Sequence, residues 1–180
     1  MTETTTTPFH CVYDRFLSKI TDDLYLELTE ADTYADLLSI LINAIPGFEF
    51  PRCPIFNYNI VTYASEYGEG KTENLEEKRG FFNCALTAEE IDILADLMMI
   101  EWLGRQIASV ENIRMKYSGS DFKFTSQANH LDKLLKTKQN FILGNRHKQR
   151  LYKRRSVNAN TGEVVTNWGG FAGGATSVRK

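Results

Sequence analysis

TAEEIDILADLMMIEWLGRQIASVENIRMKYS, Thr87 to Ser118, reads as one long helix. Thr87 is its cap, and Glu90 follows three residues later, the spacing of a capping box in which each side chain satisfies a backbone donor of the other. Asp92 stands in the first turn, where the positive end of the helix dipole favours a carboxylate. Through Leu103 apolar residues cover most of the circumference, which predicts burial on several sides. Beyond Gly104 they narrow to a stripe of Leu103, Ile107, Val110 and Tyr117, with Gln106, Glu111 and Lys116 outside it. At 1.5 Å per residue, a helix from Thr87 to Tyr117 is about 45 Å long. A body of this size does not need that length internally. Leu103, Ile107 and Val110 are therefore expected at a helix–helix contact, inside the subunit or with another copy.

Downstream, Ser118-Gly119-Ser120 breaks the pattern and GSDFKFTSQANHLDKLLKTKQNFIL restarts it. Thr125 or Ser126 can cap a helix that carries Ala128, Leu131, Leu134, Leu135 and Ile142. A short turn between two helices makes them antiparallel neighbours. NRHKQRLYKRR, Asn145 to Arg155, then ends the compact part in a run of cations: Arg146, Lys148, Arg150, Lys153, Arg154 and Arg155. One reading of the run is a solvated helix end that complements the dipole of the last turn. The other is contact with nucleic-acid phosphates or with an acidic protein surface. No aromatic platform or zinc framework accompanies it, so sequence-specific recognition is not expected.

Upstream, Phe9, Val12, Phe16 and Ile20 mark a first helix over Phe9–Ile20. Thr29, with Asp32 three residues on, opens another over Ala31–Ile45, with Tyr34, Leu37, Leu38, Leu41, Ile42 and Ile45 on its apolar face. Pro46-Gly47 ends it. Around Phe56–Tyr63 aromatic and β-branched residues alternate with polar ones, a strand signal that Pro51 and Pro54 push to a sheet edge. Glu66–Gly80 reads as a charged, mostly acidic loop. Residues 1–8 read as a flexible polar arm, 9–155 as a helical domain and 156–180 as an extended carboxyl-terminal tail. The expected class is mainly α: a helical bundle with one long central helix, a small extended or β segment and an extended carboxyl arm.

A net charge of −2 conceals a division along the chain. Up to Asp132 there are 22 acidic and 10 basic residues, a balance of −12; from Lys133 on there are 11 basic residues and the single acid Glu163, a balance of +10. Such a split suits head-to-tail attraction between copies, or contact of one end with a polyanion. The longest apolar stretch, Ile91–Gly104, is interrupted by Asp92, Asp96 and Glu101 and is too short to span a bilayer. MTETTTTPFH has no cationic patch followed by an apolar run, so no secretion signal is expected. Cys11, Cys53 and Cys84 are widely spaced and odd in number, which suits a reducing cytoplasm better than a disulfide framework. His10, His130 and His147 are equally scattered, and neither they nor the cysteines have metal-ligand spacing.

No phosphate loop, dinucleotide fingerprint, nucleophile elbow or HExxH zinc motif is present. GGFAGGAT has no strand before it or helix after it that would aim its amides at a phosphate. Glu76-Glu77 and Glu89-Glu90 are explained by solvation and capping. A non-enzymatic protein without cofactor is the expectation. The tail VNANTGEVVTNWGGFAGGATSVRK, Val157 to Lys180, is different: five glycines and few apolar groups cannot offset its own ordering. Val164, Val165 and Thr166 form a short β-prone run, and Trp168 lacks the neighbours to bury it. Such a segment can add a strand to a partner's sheet edge and anchor it with an aromatic side chain.

DLYLELT, ADLLSILINAIPGFEFPR, LTAEEIDILADLMMIEWLGRQIASVENIRMKYSGSDFKFTSQANHLDKLL and RLYKRR follow one another between Asp23 and Arg155. That order resembles the head-to-tail connector (adaptor or neck) proteins of tailed bacteriophages. The resemblance rests on the whole pattern, especially FEFPR, EWLGRQI and YSGSDFKFTSQANHL, and on no single motif. It implies a structural virion protein at the head–tail junction, made in the host cytoplasm. Such proteins form a ring, commonly dodecameric, below the portal, extend the DNA channel and offer a surface to the next neck or tail protein. The carboxyl arm would dock on the portal, with Val164, Val165, Trp168 and Phe171 as anchors. The charge split, apart from the resemblance, fits contact of the cations with a ring neighbour or with the packaged DNA; no membrane is involved. The rival expectation is a non-sequence-specific nucleic-acid-binding accessory protein with a basic carboxyl-terminal region.

Overall fold

The computed structural model describes residues 6–20, 24–64, 76–116, 124–157 and 164–166. It is mainly helical, and the predicted long helix is its centre. This helix, α4 (Ala88–Lys116; numbering in chain order), has 29 residues. Its capping box forms: the Thr87 N–H donates to Glu90 Oε2 at 2.7 Å, and the Glu90 N–H to Thr87 Oγ1 at 3.3 Å. From Ile93 to Met99 every residue is buried, because partners surround the first half of the helix.

Those partners are α1 (His10–Leu17), α3 (Glu30–Ala44) and α5 (Phe124–Arg154), all packed on α4. The core joins Val12 and Phe16 of α1 with Leu37, Ile40 and Leu41 of α3, and with Ile93, Leu94 and Met98 of α4. At the start of α3 the Thr29 hydroxyl accepts from the Asp32 N–H at 3.2 Å, so the expected cap is in place. Pro46 falls in a 3-10 turn, Ile45–Gly47, that closes α3. A single turn, α2 (Leu24–Glu27), lies between α1 and α3. α5 runs back along α4: Lys138 lies against Gly104, Asn145 against Ile93 and Tyr152 against Glu90. The two helices are therefore antiparallel, as the short turn predicts.

A three-stranded antiparallel sheet completes the body, with β3 (Glu76–Phe82) between β1 (Thr7–Pro8) and β2 (Tyr58–Ala64). Tyr58 pairs with Phe82, Ile60 with Gly80 and Ala64 with Glu76. β2 is an edge strand, and the prolines that suggested an edge stand just before it. The Phe9 ring lies against Gly80, and the Phe9 N–H donates to the Gly80 carbonyl at 2.9 Å. Only a residue without Cβ permits that approach.

Three expectations change. Glu66–Gly80 is not loop throughout: Glu76–Gly80 is strand, held by β2 despite its charges, while 65–75 lie outside the described residues. The end of the supposed amino-terminal arm is tied down as β1, where buried Thr7 donates its hydroxyl to the Cys84 carbonyl at 2.9 Å; 1–5 lie outside the described residues. The first helix stops at Leu17 instead of Ile20. Folding also brings Cys53 beside Cys84. Burial, then the hydrogen bond between the two thiols, pushes Cys53 up to about 12. No cysteine is in a disulfide.

Candidate functional site

The carboxyl half of α5 carries five of the six cations the sequence singles out, and it has two different faces. The inner face is polar yet buried. Asn145, Gln149 and Tyr152 follow at i, i+4 and i+7, one side of the helix, each 1–2% exposed. Asn145 Nδ2 donates to the Ile93 carbonyl at 3.0 Å. Gln149 donates Nε2 to Asn145 Oδ1 at 2.5 Å and to the Gly47 carbonyl at 3.1 Å, and accepts the Glu49 N–H at 2.7 Å. The Tyr152 hydroxyl donates to Glu90, closing the α4 cap onto α5. Every one of these buried polar groups has a partner, which is what makes such a face tolerable.

Lys148 flanks this face. With Arg15 and Lys19 of α1 it surrounds Asp92 and Asp96 of α4; Lys19 lies 2.7 Å from Asp92 and 2.5 Å from Asp96. Burial opposes ionisation of Asp92, but hydrogen bonds from Lys148, Lys19 and Arg15 outweigh it and hold its carboxyl well below the usual carboxylate range. Burial likewise works against the Lys148 ammonium, and its two carboxylates prevail and raise it. This cluster locks α1, α4 and α5 together.

The predicted basic run therefore divides. Lys148 is spent internally, Lys153 lies 4.0 Å over the Phe50 ring, and Arg155 reaches Glu89 at 3.3 Å. Arg146, Arg150 and Arg154 are exposed and have no ion pair among the described residues. They stand at i, i+4 and i+8, a straight row on the outer side of α5. Leu143, 58% exposed, begins the same row, and His147 flanks it. The run is thus helical to Arg154 and does not merely end the compact part.

Of the predicted packing stripe, Leu103 and Ile107 are buried within the subunit and Val110 is half-buried. Leu135, one of the apolar residues of the second predicted helix, is 47% exposed. Beyond α5, β4 (Arg155–Val157) pairs with β5 (Val164–Thr166) of the same chain, Ser156 opposite Val165. The strand expected over Val164, Val165 and Thr166 is present, paired within its own subunit on one edge. Among the described residues neither β4 nor β5 has a neighbour on its other edge. Trp168 and Phe171 lie outside the described residues.

Among the described residues no group of His, Cys, Asp and Glu is arranged to hold a metal ion, and no helix is long and apolar enough to cross a membrane. The inner face Asn145-Gln149-Tyr152 and the hub role of Asp92 and Asp96 were missed by sequence reasoning. The available signal was that Asn145, Gln149 and Tyr152 recur at helical spacing among the cations of the run. No family model, curated protein or solved structure matches the chain.

Proposed function

We propose that this chain is a head-to-tail connector protein of a tailed bacteriophage, a structural ring subunit that joins the portal to the tail or neck and extends the DNA channel. The observation that carries the reading is the construction of α5. Its inner face is fastened to the body through a fully paired polar seam, its outer face presents a row of arginines, and it runs directly into a two-stranded hairpin with open edges. A subunit that must grip neighbours needs a rigid strut with an adhesive exterior. Partners are further copies of the chain, the portal protein and the next neck or tail protein.

The tail from Ser156 to Lys180 is the portal-docking element in this reading, with Val164, Val165 and Thr166 offering a strand edge and Trp168 and Phe171 as anchors. Binding of purified portal protein tests it. The full chain binds, a chain ending at Arg155 does not, and Trp168→Ala loses about 2 kcal/mol as an aromatic anchor should. Full-strength portal binding by the truncated chain refutes it. The arginine row is the one observation that favours the second reading, a non-sequence-specific nucleic-acid-binding protein. That role demands DNA affinity that falls steeply with salt and is lost when the row is reversed in charge.

A further inference from the structure

Two adjoining cavities lie along α1, one of about 250 Å³ between α1, Tyr34 and the sheet, the other of about 320 Å³ between α1, α2 and α3. They share His10, Tyr13 and Tyr34 as walls and so form one groove. Tyr13 is its most telling residue: the side chain is 4% exposed, yet its hydroxyl has no hydrogen-bond partner among the described residues. Burial first, and then the neighbouring Tyr34, raises Tyr13, which keeps it a neutral phenol able both to accept and to donate. A buried hydroxyl left alone is unfavourable, and a group entering the groove would relieve it. Asp14 and Glu30 stand exposed among the lining residues without an ion pair among the described residues, while the cations nearest them in sequence, Arg15 and Lys19, are held by Asp92 and Asp96.

Aromatic walls, two free carboxylates and a lone phenol oxygen match one chemistry. A guanidinium is planar, stacks on aromatic faces, forks onto carboxylates and donates to a phenol oxygen; an ammonium does only part of this. We infer that this groove receives the arginine row of a second copy, Arg146, Arg150 and Arg154 on the outer side of α5. The partner's identity rests on the ring reading above, and charge complementarity supports it. The groove belongs to the part of the chain with balance −12 and the row to the part with balance +10.

Within one subunit the two surfaces are kept apart. α1 and α3 pack on α4, as α5 does, and the row points away from the α4-facing side of α5. Groove and row are different surfaces, so the contact is heterologous and propagates head to tail until it closes. Successive arginines are about 6 Å apart along the helix, so one enters the groove while its neighbours meet the rim. Leu143, in line with them, adds the apolar contact.

The experiment is sedimentation of the full chain and of two charge-reversed variants, alone and mixed. One variant carries Asp14→Arg and Glu30→Arg; the other carries Arg146→Glu, Arg150→Glu and Arg154→Glu. All five positions are exposed, so both variants should give the parent's helical circular dichroism. Each alone is expected to remain monomeric where the parent assembles, and an equimolar mixture is expected to restore assembly, because the arginine-bearing groove of one variant then meets the glutamate-bearing row of the other, and the unaltered groove meets the unaltered row. Tyr13→Phe should fold at least as stably as the parent and weaken assembly about tenfold. Variants that assemble like the parent, or a mixture that stays monomeric, would overturn this contact while leaving the ring reading intact. A parent that never assembles would overturn both.

Discussion

Removing one oxygen atom from Tyr152 tests the seam between α4 and α5. In Tyr152→Phe the ring keeps its packing against Phe48, 5.7 Å between centroids, and stays beneath the Arg52 guanidinium, 4.1 Å away. The loss is the donor to Glu90, a carboxylate only 2% exposed whose other oxygen is already taken by the Thr87 N–H and hydroxyl. A hydrogen bond to a charged group is worth about 1.5–3 kcal/mol net, and here the abandoned acceptor is too buried to recruit water. The expected cost is therefore about 2 kcal/mol, or a fall in Tm of roughly 4–8 °C for a chain of this size. Urea unfolding followed by circular dichroism reads it directly, with the midpoint falling and the slope unchanged. A double-mutant cycle with Glu90→Ala should return most of that loss as coupling between the two residues. If Tyr152→Phe lies within about 0.5 kcal/mol of the parent, the ordinary surface range, the seam is not fastened as described.

The ion cluster predicts an acid-sensitive body. Asp92 is held below its unfolded value near 3.9, so its stabilisation is complete above that pH and is lost as pH falls toward the folded value. The stability gap between the parent and Asp92→Asn should be constant from pH 7 to about 5 and narrow below about pH 4 in thermal melts. Gly80→Ala would drive a methyl group into the Phe9 ring and should cost about 1–3 kcal/mol in urea unfolding. Ile107→Asp puts a charge into a packed apolar contact, at 8% exposure in the parent, and should cost several kcal/mol, roughly, with loss of the cooperative melt. A parent-like melt for that variant would contradict the packing assigned to the second half of α4.

Helices were legible wherever apolar residues recurred and a cap announced the start, as at Thr29 and Thr87. β3 was not, because Glu76 to Arg79 carries four charges in succession and becomes a strand only through its pairing with β2. The same limit hid the inner face of α5. Asn145 and Gln149 are buried because backbone groups of Ile93, Gly47 and Glu49 await them, and those lie 52 to 102 residues away in sequence. The arginine row was visible as charge, yet which cations were free could not be read from spacing. Lys148 differs from Arg150 only in facing Asp92 and Asp96. Of the groove, the residues were ordinary helix positions in the sequence, and only the packing of α1 beside α3 leaves Tyr13 without a partner.

The central claim is that the chain builds a closed ring from a heterologous contact, and its mass in solution tests that most directly. Native mass spectrometry of the full chain over a rising concentration series should show monomer giving way to a single species of fixed copy number, with no longer open oligomers beyond it. A chain that stays monomeric throughout and in the presence of portal protein, or that grows into polymers without a fixed size, would contradict the account.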